Sequence, residues 1–242
     1  MKYLYRLYQL VVALPLFLVL TIITTLTVTV GSLLGDGNFW SYYPGKCWSW
    51  LTLKLCLLPV RVEGREHLQP HQSYVFVANH QGSFDIFLLY GHLCRNFKWM
   101  MKRGIRKIPF VGMACKASHQ IFVDKSGPSK VRETYTQARA TLSSGMSMVV
   151  FPEGARTYTG AMRDFKKGAF MLADELQLPV VPITINGSFH VMPRTKDWHF
   201  LEWSPLSLTI HEPIPPVGKG ADNLHHLMTK SYEAIQSALV VE

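Results

Sequence analysis

Two short stretches of the chain combine an ionisable base with groups able to grip an anion. The first is Asn79-His80-Gln81-Gly82-Ser83-Phe84-Asp85, set between apolar runs. On one helix, residues five apart differ by about 140° and their side chains could not meet. With His80 on a loop and Asp85 in the first turn of a helix, the chain can fold back. Asp85 then accepts the Nδ1 proton of His80 and leaves Nε2 as a general base. Ser83 is placed to cap that helix. The second stretch is Phe151-Pro152-Glu153-Gly154-Ala155-Arg156-Thr157. Gly154 permits close backbone approach and Arg156 offers a planar fork of donors suited to phosphate. Glu153 either accepts hydrogen bonds from a polyol or holds its loop in shape. A local Glu153–Arg156 ion pair structuring a turn is the plainer alternative.

The His-x4-Asp spacing is weak evidence alone, because His119 and Asp124 repeat it. That second pair falls in a strand-like run, where residues five apart face opposite sides of a sheet. Other chemistries are poorly supported. The sequence has no Gly-x-Ser-x-Gly elbow, no Gly-x4-Gly-Lys-Ser/Thr loop and no His-Glu-x-x-His or other metal-ligand cluster. Its four Cys form no CxxC pair, so neither a zinc site nor a disulfide framework is expected. A base with an orienting acid and no protein nucleophile suits direct transfer, with a substrate hydroxyl as the attacking group.

The elements that must position these residues follow from periodicity. Strands are predicted at Ser73–Ala78, His119–Asp124, Ser147–Pro152, Val180–Ile185 and Leu206–His211. Helices are predicted at Ser83–Leu93, Ser129–Ser143, Lys167–Glu175 and Asn223–Val240. This alternation predicts an α/β domain over 61–242, with a mostly parallel sheet flanked by helices. Ligands of such sheets bind beyond the carboxyl ends of the strands.

Residues 1–60 read differently. No charged side chain lies between Arg6 and Asp36, and the apolar run exceeds the ~20 residues that cross a hydrocarbon core. It is too long for a signal-peptide core and lacks a cleavage site. A second stretch, Phe39 to Val60, carries Trp40, Tyr42, Tyr43, Trp48 and Trp50, rings favoured at headgroup depth, and is interrupted by Lys46 and Lys54. Lys2 and Arg6 precede the first stretch, and Arg61 and Arg65 follow the second. These features predict a membrane-associated helical hairpin with both ends on the cytoplasmic side.

Charge points the same way. The 242 residues are 48% hydrophobic and carry 25 Lys+Arg against 16 Asp+Glu, a net +9. Between Arg95 and Phe170 lie fifteen Lys/Arg and four Asp/Glu, a local +11. Anionic partners follow. No zinc-finger, RNP or helix-turn-helix signature accompanies the charge, so nucleic acid is not needed to explain it.

In order along the chain, these residues resemble the 1-acyl-glycerol-3-phosphate (lysophosphatidate) acyltransferases. His80–Asp85 looks like the family's His-x4-Asp block and Ile121–Lys125 its second block. Phe151–Thr157 resembles Phe-Pro-Glu-Gly-Thr-Arg, and Val180-Val181-Pro182-Ile183 the Val-Pro block. Lys102 with Ile108-Pro109-Phe110-Val111-Gly112, and Phe165-Lys166-Lys167-Gly168-Ala169, also match. Two positions depart: Lys125 stands where Arg is usual, and Ala155 where Thr is usual. Lys keeps the charge and loses the bidentate fork.

The resemblance implies acyl transfer to the sn-2 hydroxyl of lysophosphatidic acid, giving phosphatidic acid for phospholipid biosynthesis. It implies His80 as base, oriented by Asp85, with Arg156 and Lys102 on the acceptor phosphate and Lys125 a weaker ligand. Glu153 and Gly154 would shape the glycerol site. No cofactor or metal is expected beyond the thioester co-substrate, acyl-CoA or acyl carrier protein. Membrane lipid is the other expected partner, and the inner membrane, with a cytoplasmic-face site, the expected location. Other readings are acylation of a different lysolipid (lyso-ornithine lipid or lysophospholipid), a thioesterase, or a non-catalytic protein binding anionic lipid.

Overall fold

The computed structural model describes residues 2–195 and 199–240. Seven strands form: β1 (Val60–Glu63), β2 (Val75–Ala78), β3 (Phe97–Lys102), β4 (Ile121–Val123), β5 (Ser147–Val150), β6 (Val180–Asn186) and β7 (Leu206–Ile210). They form one sheet in the order β1-β7-β6-β2-β5-β3-β4, parallel throughout except between β6 and β7. The middle strands β2 and β5 are buried along their whole length, which is why they are largely apolar. Within β2, alternation sends Val75 and Val77 to one hydrophobic cluster and Phe76 and Ala78 to the other.

Helices cover both faces: α1 (Lys2–Tyr8), α2 (Leu14–Leu34), α3 (Gly37–Leu55), α4 (Asp85–His92), α5 (Val111–Ala117), α6 (Pro128–Ser143), α7 (Gly168–Leu176), α8 (Ser188–Val191) and α9 (Ala221–Ser237). Residues of α3 and α4 pack with Phe76, Phe97 and Val181 on one face. Those of α6, α7 and α9 pack with Val75, Met148 and Val180 on the other.

The mostly parallel architecture is as expected, with two strands, β1 and β3, that periodicity did not mark. Strand β1 lies at an edge. Strand β3 (FKWMMK) hides a cation: Lys98 is only 3% exposed, and its Nζ donates to Gly37 O, Ser41 Oγ and Ser118 O at 3.3, 3.1 and 2.9 Å. Burial pushes its ammonium down to about 8. A buried Lys breaks the apolar pattern that would have announced a strand.

Helices α1 and α2 are continuous through a π turn at Gln9–Ala13. Leu14 N bonds to Gln9 O, a register shift that admits Pro15 without a break. Lys2–Leu34 is, among the described residues, the one helix long and apolar enough to cross a membrane, and its apolar surface is largely exposed. Asp36 caps α3 by accepting from Asn38 N at 2.9 Å.

Helix α3 then returns against the α/β unit, packing between α2 and α4. Its Tyr42 and Leu53 are core residues, in the same cluster as Phe76 and Leu88. Gly45 allows this approach: a Cβ there would lie 2.7 Å from the Tyr90 ring. The buried amide of Gln9 brackets Leu201, donating to its carbonyl at 2.8 Å and accepting from its N–H at 2.9 Å. Tyr5 and Tyr8 hydroxyls donate to Cys56 O and Leu55 O, each at 2.8 Å.

Candidate active site

Because β2, β5, β3 and β4 are adjacent and parallel, their carboxyl ends share one edge. His80 follows β2, Phe151 to Arg156 follow β5, Lys102 ends β3, and Lys125 follows β4. The expected site residues therefore come from separate strand ends to one rim.

At its centre, His80 Nδ1 lies 2.7 Å from Asp85 Oδ2. The same oxygen accepts from Gly82 N at 3.0 Å, so the fold-back from loop to helix closes on the carboxylate. Asp85 is fully buried, while the His80 side chain keeps 15% exposure. Phe151 stacks on the imidazole at 3.8 Å with planes 9° apart, and Trp99 stacks behind Phe151 at 5.9 Å. A ring held by stacking and by its Nδ1 bond presents Nε2 on the opposite edge, away from Asp85.

The Ser83 hydroxyl does not cap α4. Phe84 occupies the N-cap position without a side-chain bond, and Ser83 Oγ instead accepts from Arg156 Nη1 at 2.5 Å. The expected cap is thus a tie between the two motifs. The second His-x4-Asp pair is also resolved: His119 precedes β4, and Asp124 is held by Arg103 at 2.5 Å and Ser126 N at 3.0 Å.

Glu153 is 1% exposed, and both its oxygens are used by backbone donors. Oε1 accepts from His80 N at 2.7 Å and Oε2 from Arg163 N at 3.0 Å. Burial holds its carboxyl above the usual carboxylate range despite these two bonds. Of the two readings, loop brace fits this geometry, and the Glu153–Arg156 pair is not formed: Arg156 turns to Ser83. Replacing Glu153 by Ala is expected to destabilise the fold by about 1–3 kcal/mol for each donor left unpaired. Thermal or urea unfolding of the variant checks this. Gly154 sits at φ +75°, and a Cβ there would lie 2.5 Å from Lys166 Nζ.

Around Lys102 stands a group of cations. Burial and then the charges of Arg194, Lys125, Lys166 and Arg156 depress the Lys102 ammonium. Lys125, burial and Arg163 do the same to Lys166. Arg194 donates to Arg156 O at 3.1 Å and lies over the Tyr158 ring at 4.1 Å. Mutual repulsion among cations held this close would be relieved by an anion between them. Neither Lys166 nor Arg194 stands out in the sequence as a site residue: Lys166 lies within Phe165-Lys166-Lys167-Gly168-Ala169, and Arg194 arrives from beyond β6 with no local signature.

A family model described as Acyltransferase matches residues 59–186. An uncharacterized acyltransferase of Schizosaccharomyces pombe is 30% identical over 215 residues, covering 87% of this chain and 76% of that protein. A 1-acyl-sn-glycerol-3-phosphate acyltransferase of Chlamydomonas reinhardtii is 35% identical over 68% of this chain and 49% of its own. The human 1-acyl-sn-glycerol-3-phosphate acyltransferase alpha is 31% identical over 68% of this chain and 58% of its own. The chain thus spans about half the length of these last two relatives. The crystal structure of the 1-acyl-sn-glycerophosphate acyltransferase PlsC from Thermotoga maritima superposes with a TM-score of 0.79. That match has 26% identity and covers 97% of this chain and 93% of that one. With the histidine–aspartate pair and the cationic rim at its strand ends, this chain belongs to the acyltransferase family that includes the 1-acyl-sn-glycerol-3-phosphate acyltransferases.

Proposed function

We propose that the protein moves a fatty acyl group from a thioester of coenzyme A or acyl carrier protein to the sn-2 hydroxyl of 1-acyl-glycerol-3-phosphate, giving phosphatidic acid. The observation that carries this reading is the His80 Nδ1–Asp85 Oδ2 bond of 2.7 Å beside a rim of cations. His80 Nε2 takes the hydroxyl proton as that oxygen attacks the thioester carbonyl. The C–S bond then breaks, and the imidazolium returns the proton to the thiolate. The protein contributes no covalent intermediate, and the step uses no group beyond the co-substrate. General base action contributes about 10²–10⁴-fold, and holding both substrates supplies much of the rest.

Lys102 and Arg156 hold the acceptor phosphate, with Lys125 adding charge at the rim. Glu153 and Gly154 shape the loop against which the glycerol sits. Replacing Lys102 or Arg156 by Ala is expected to raise KM for lysophosphatidate by about 10-fold or more, since a charged hydrogen bond contributes roughly 1.5–3 kcal/mol. The kcat should change far less. Steady-state kinetics at two salt concentrations separates these effects, because rim charges are screened by salt.

Both acceptor and product are lipids, so a membrane-held enzyme need not draw either into water. The apolar helix Lys2–Leu34 supports membrane association. The basic residues at both outer ends of the first two helical stretches favour a cytoplasmic-face site on the inner membrane. The test is purified protein with labelled acyl-CoA and a panel of lysolipids. Phosphatidate formation from lysophosphatidate is expected. Acylation of lyso-ornithine lipid or another lysophospholipid in preference moves the acceptor assignment to that lipid.

A further inference from the structure

Between Lys102 and α5 the chain makes a feature that the acyl-transfer step does not use. Phe110 lies at φ +60° and ψ −53°, and Val111 N bonds back to Pro109 O at 2.6 Å. This is a tight three-residue turn of the strained kind, in a backbone region costly for a bulky residue. Its packing is fixed: Gly112 N bonds to Ile108 O at 2.8 Å, and a Cβ on Gly112 would lie 2.3 Å from Arg106 O. Yet the strained turn buries no aromatic ring. Phe110 is 47% exposed, with Ile108 at 49% and Met113 at 46% beside it.

The chain segment that carries this apolar tip is basic, with Arg103 paired to Asp124. From Arg103 to Ala117 the chain carries Arg103, Arg106, Lys107 and Lys116 and no acidic residue. Arg106 is held over the Phe122 ring at 4.9 Å. On its inner side, α5 places Val111 and Ala114 beside Thr21, Thr25 and Val28 of α2. The tip therefore lies beside the long N-terminal helix, whose outer side is apolar and exposed. An apolar tip within a basic collar, next to a helix able to enter a bilayer, matches an anionic lipid surface in both hydrophobicity and charge.

We propose that Ile108, Phe110 and Met113 form a second membrane-inserting wedge at the lip of the site, docking on anionic bilayer lipid. The wedge rests on the membrane reading given above and adds a second point of attachment. Two separated attachments, the helix and the wedge, fix which way the rim at Lys102 faces. The strained turn holds the Phe110 ring outward, ready to enter lipid without reordering.

The direct test uses the full chain. Cys47 and Cys94, the exposed cysteines among the described residues, are changed to Ser. Phe110→Cys is then labelled with a polarity-sensitive dye, and a Lys130→Cys label on α6 serves as control. In vesicles containing phosphatidylglycerol, the dye at position 110 is expected to shift blue and be quenched by brominated acyl chains, and the control is expected to do neither. Equal behaviour of the two labels overturns the wedge. A shift in detergent that grows with protein concentration assigns the face to a second copy, and also overturns it. In parallel, Phe110→Asp is expected to raise KM for lysophosphatidate in anionic vesicles about tenfold, while activity on a short-chain, water-soluble lysophosphatidate stays within twofold. Equal losses on both substrates overturn the proposal. Failure of the unaltered protein to acylate any lysolipid would defeat the acceptor reading, while the dye result would still decide the wedge.

Discussion

Replacing His80 by Ala is expected to lower kcat by about 10²–10⁴-fold, the usual contribution of a positioned general base. The rim that grips phosphate is untouched, so KM for lysophosphatidate should move little. The fold should survive. His80 contributes its ring to one face of the Phe151 stack, while its backbone bonds to Glu153 and Thr157 are independent of the side chain. Circular dichroism and a melting curve of the variant establish that point, and initial rates with saturating acyl thioester read the loss. A variant with full activity would remove His80 from the reaction. A non-catalytic lipid-binding protein would be indifferent to the change in its lipid affinity.

Replacing Asp85 by Asn should also cost about 10²–10⁴-fold in kcat, through the imidazole rather than through contact with substrate. Asp85 Oδ2 accepts from both His80 Nδ1 and Gly82 N. An amide oxygen can keep both bonds, but it has no charge to stabilise the imidazolium formed as the hydroxyl proton arrives. If the amide turns its NH₂ toward Nδ1, it selects the tautomer whose Nε2 carries the proton and cannot act as a base. The loss should therefore fall on kcat. The diagnostic is the split between parameters: kcat per folded enzyme should fall while KM for lysophosphatidate and the melting temperature hold. A merely structural aspartate would lower the folded fraction and leave kcat per folded enzyme unchanged.

The juxtaposition of the candidate site residues was legible to the degree that it is local in sequence. His80 and Asp85 lie five residues apart across one strand-to-helix turn, and Glu153, Gly154 and Arg156 lie on another. The parallel sheet was legible because β2, β5 and β6 are buried along nearly their whole length and are largely apolar. What escaped depended on contacts between distant segments. Strand β3 was hidden by Lys98, whose charge is met by carbonyls of α3 and of the segment after α5. Ser83 looked like a cap because capping is a local preference, whereas Arg156, 73 residues on, claims its hydroxyl. Arg194 joins the rim from beyond β6, where no neighbouring residue betrays it. The aromatic run of α3 suited a membrane interface by composition, but Gly45 lets Tyr90 approach and makes Tyr42 part of the core. In each case the signal sits in the partner, not in the residue's own surroundings along the chain.

The central claim is direct transfer from thioester to lipid hydroxyl through His80, without an acyl-enzyme and without water as acceptor. One time course tests it: free thiol and phosphatidate are followed together, with and without lysophosphatidate, and the protein is then denatured and examined for bound acyl group. Thiol and phosphatidate are expected to appear in equal amounts, with neither a burst nor thiol release when lysophosphatidate is absent, and with no acyl group left on the protein. Thiol release without acceptor, or an acyl group recovered on a side chain of this protein, would contradict the account.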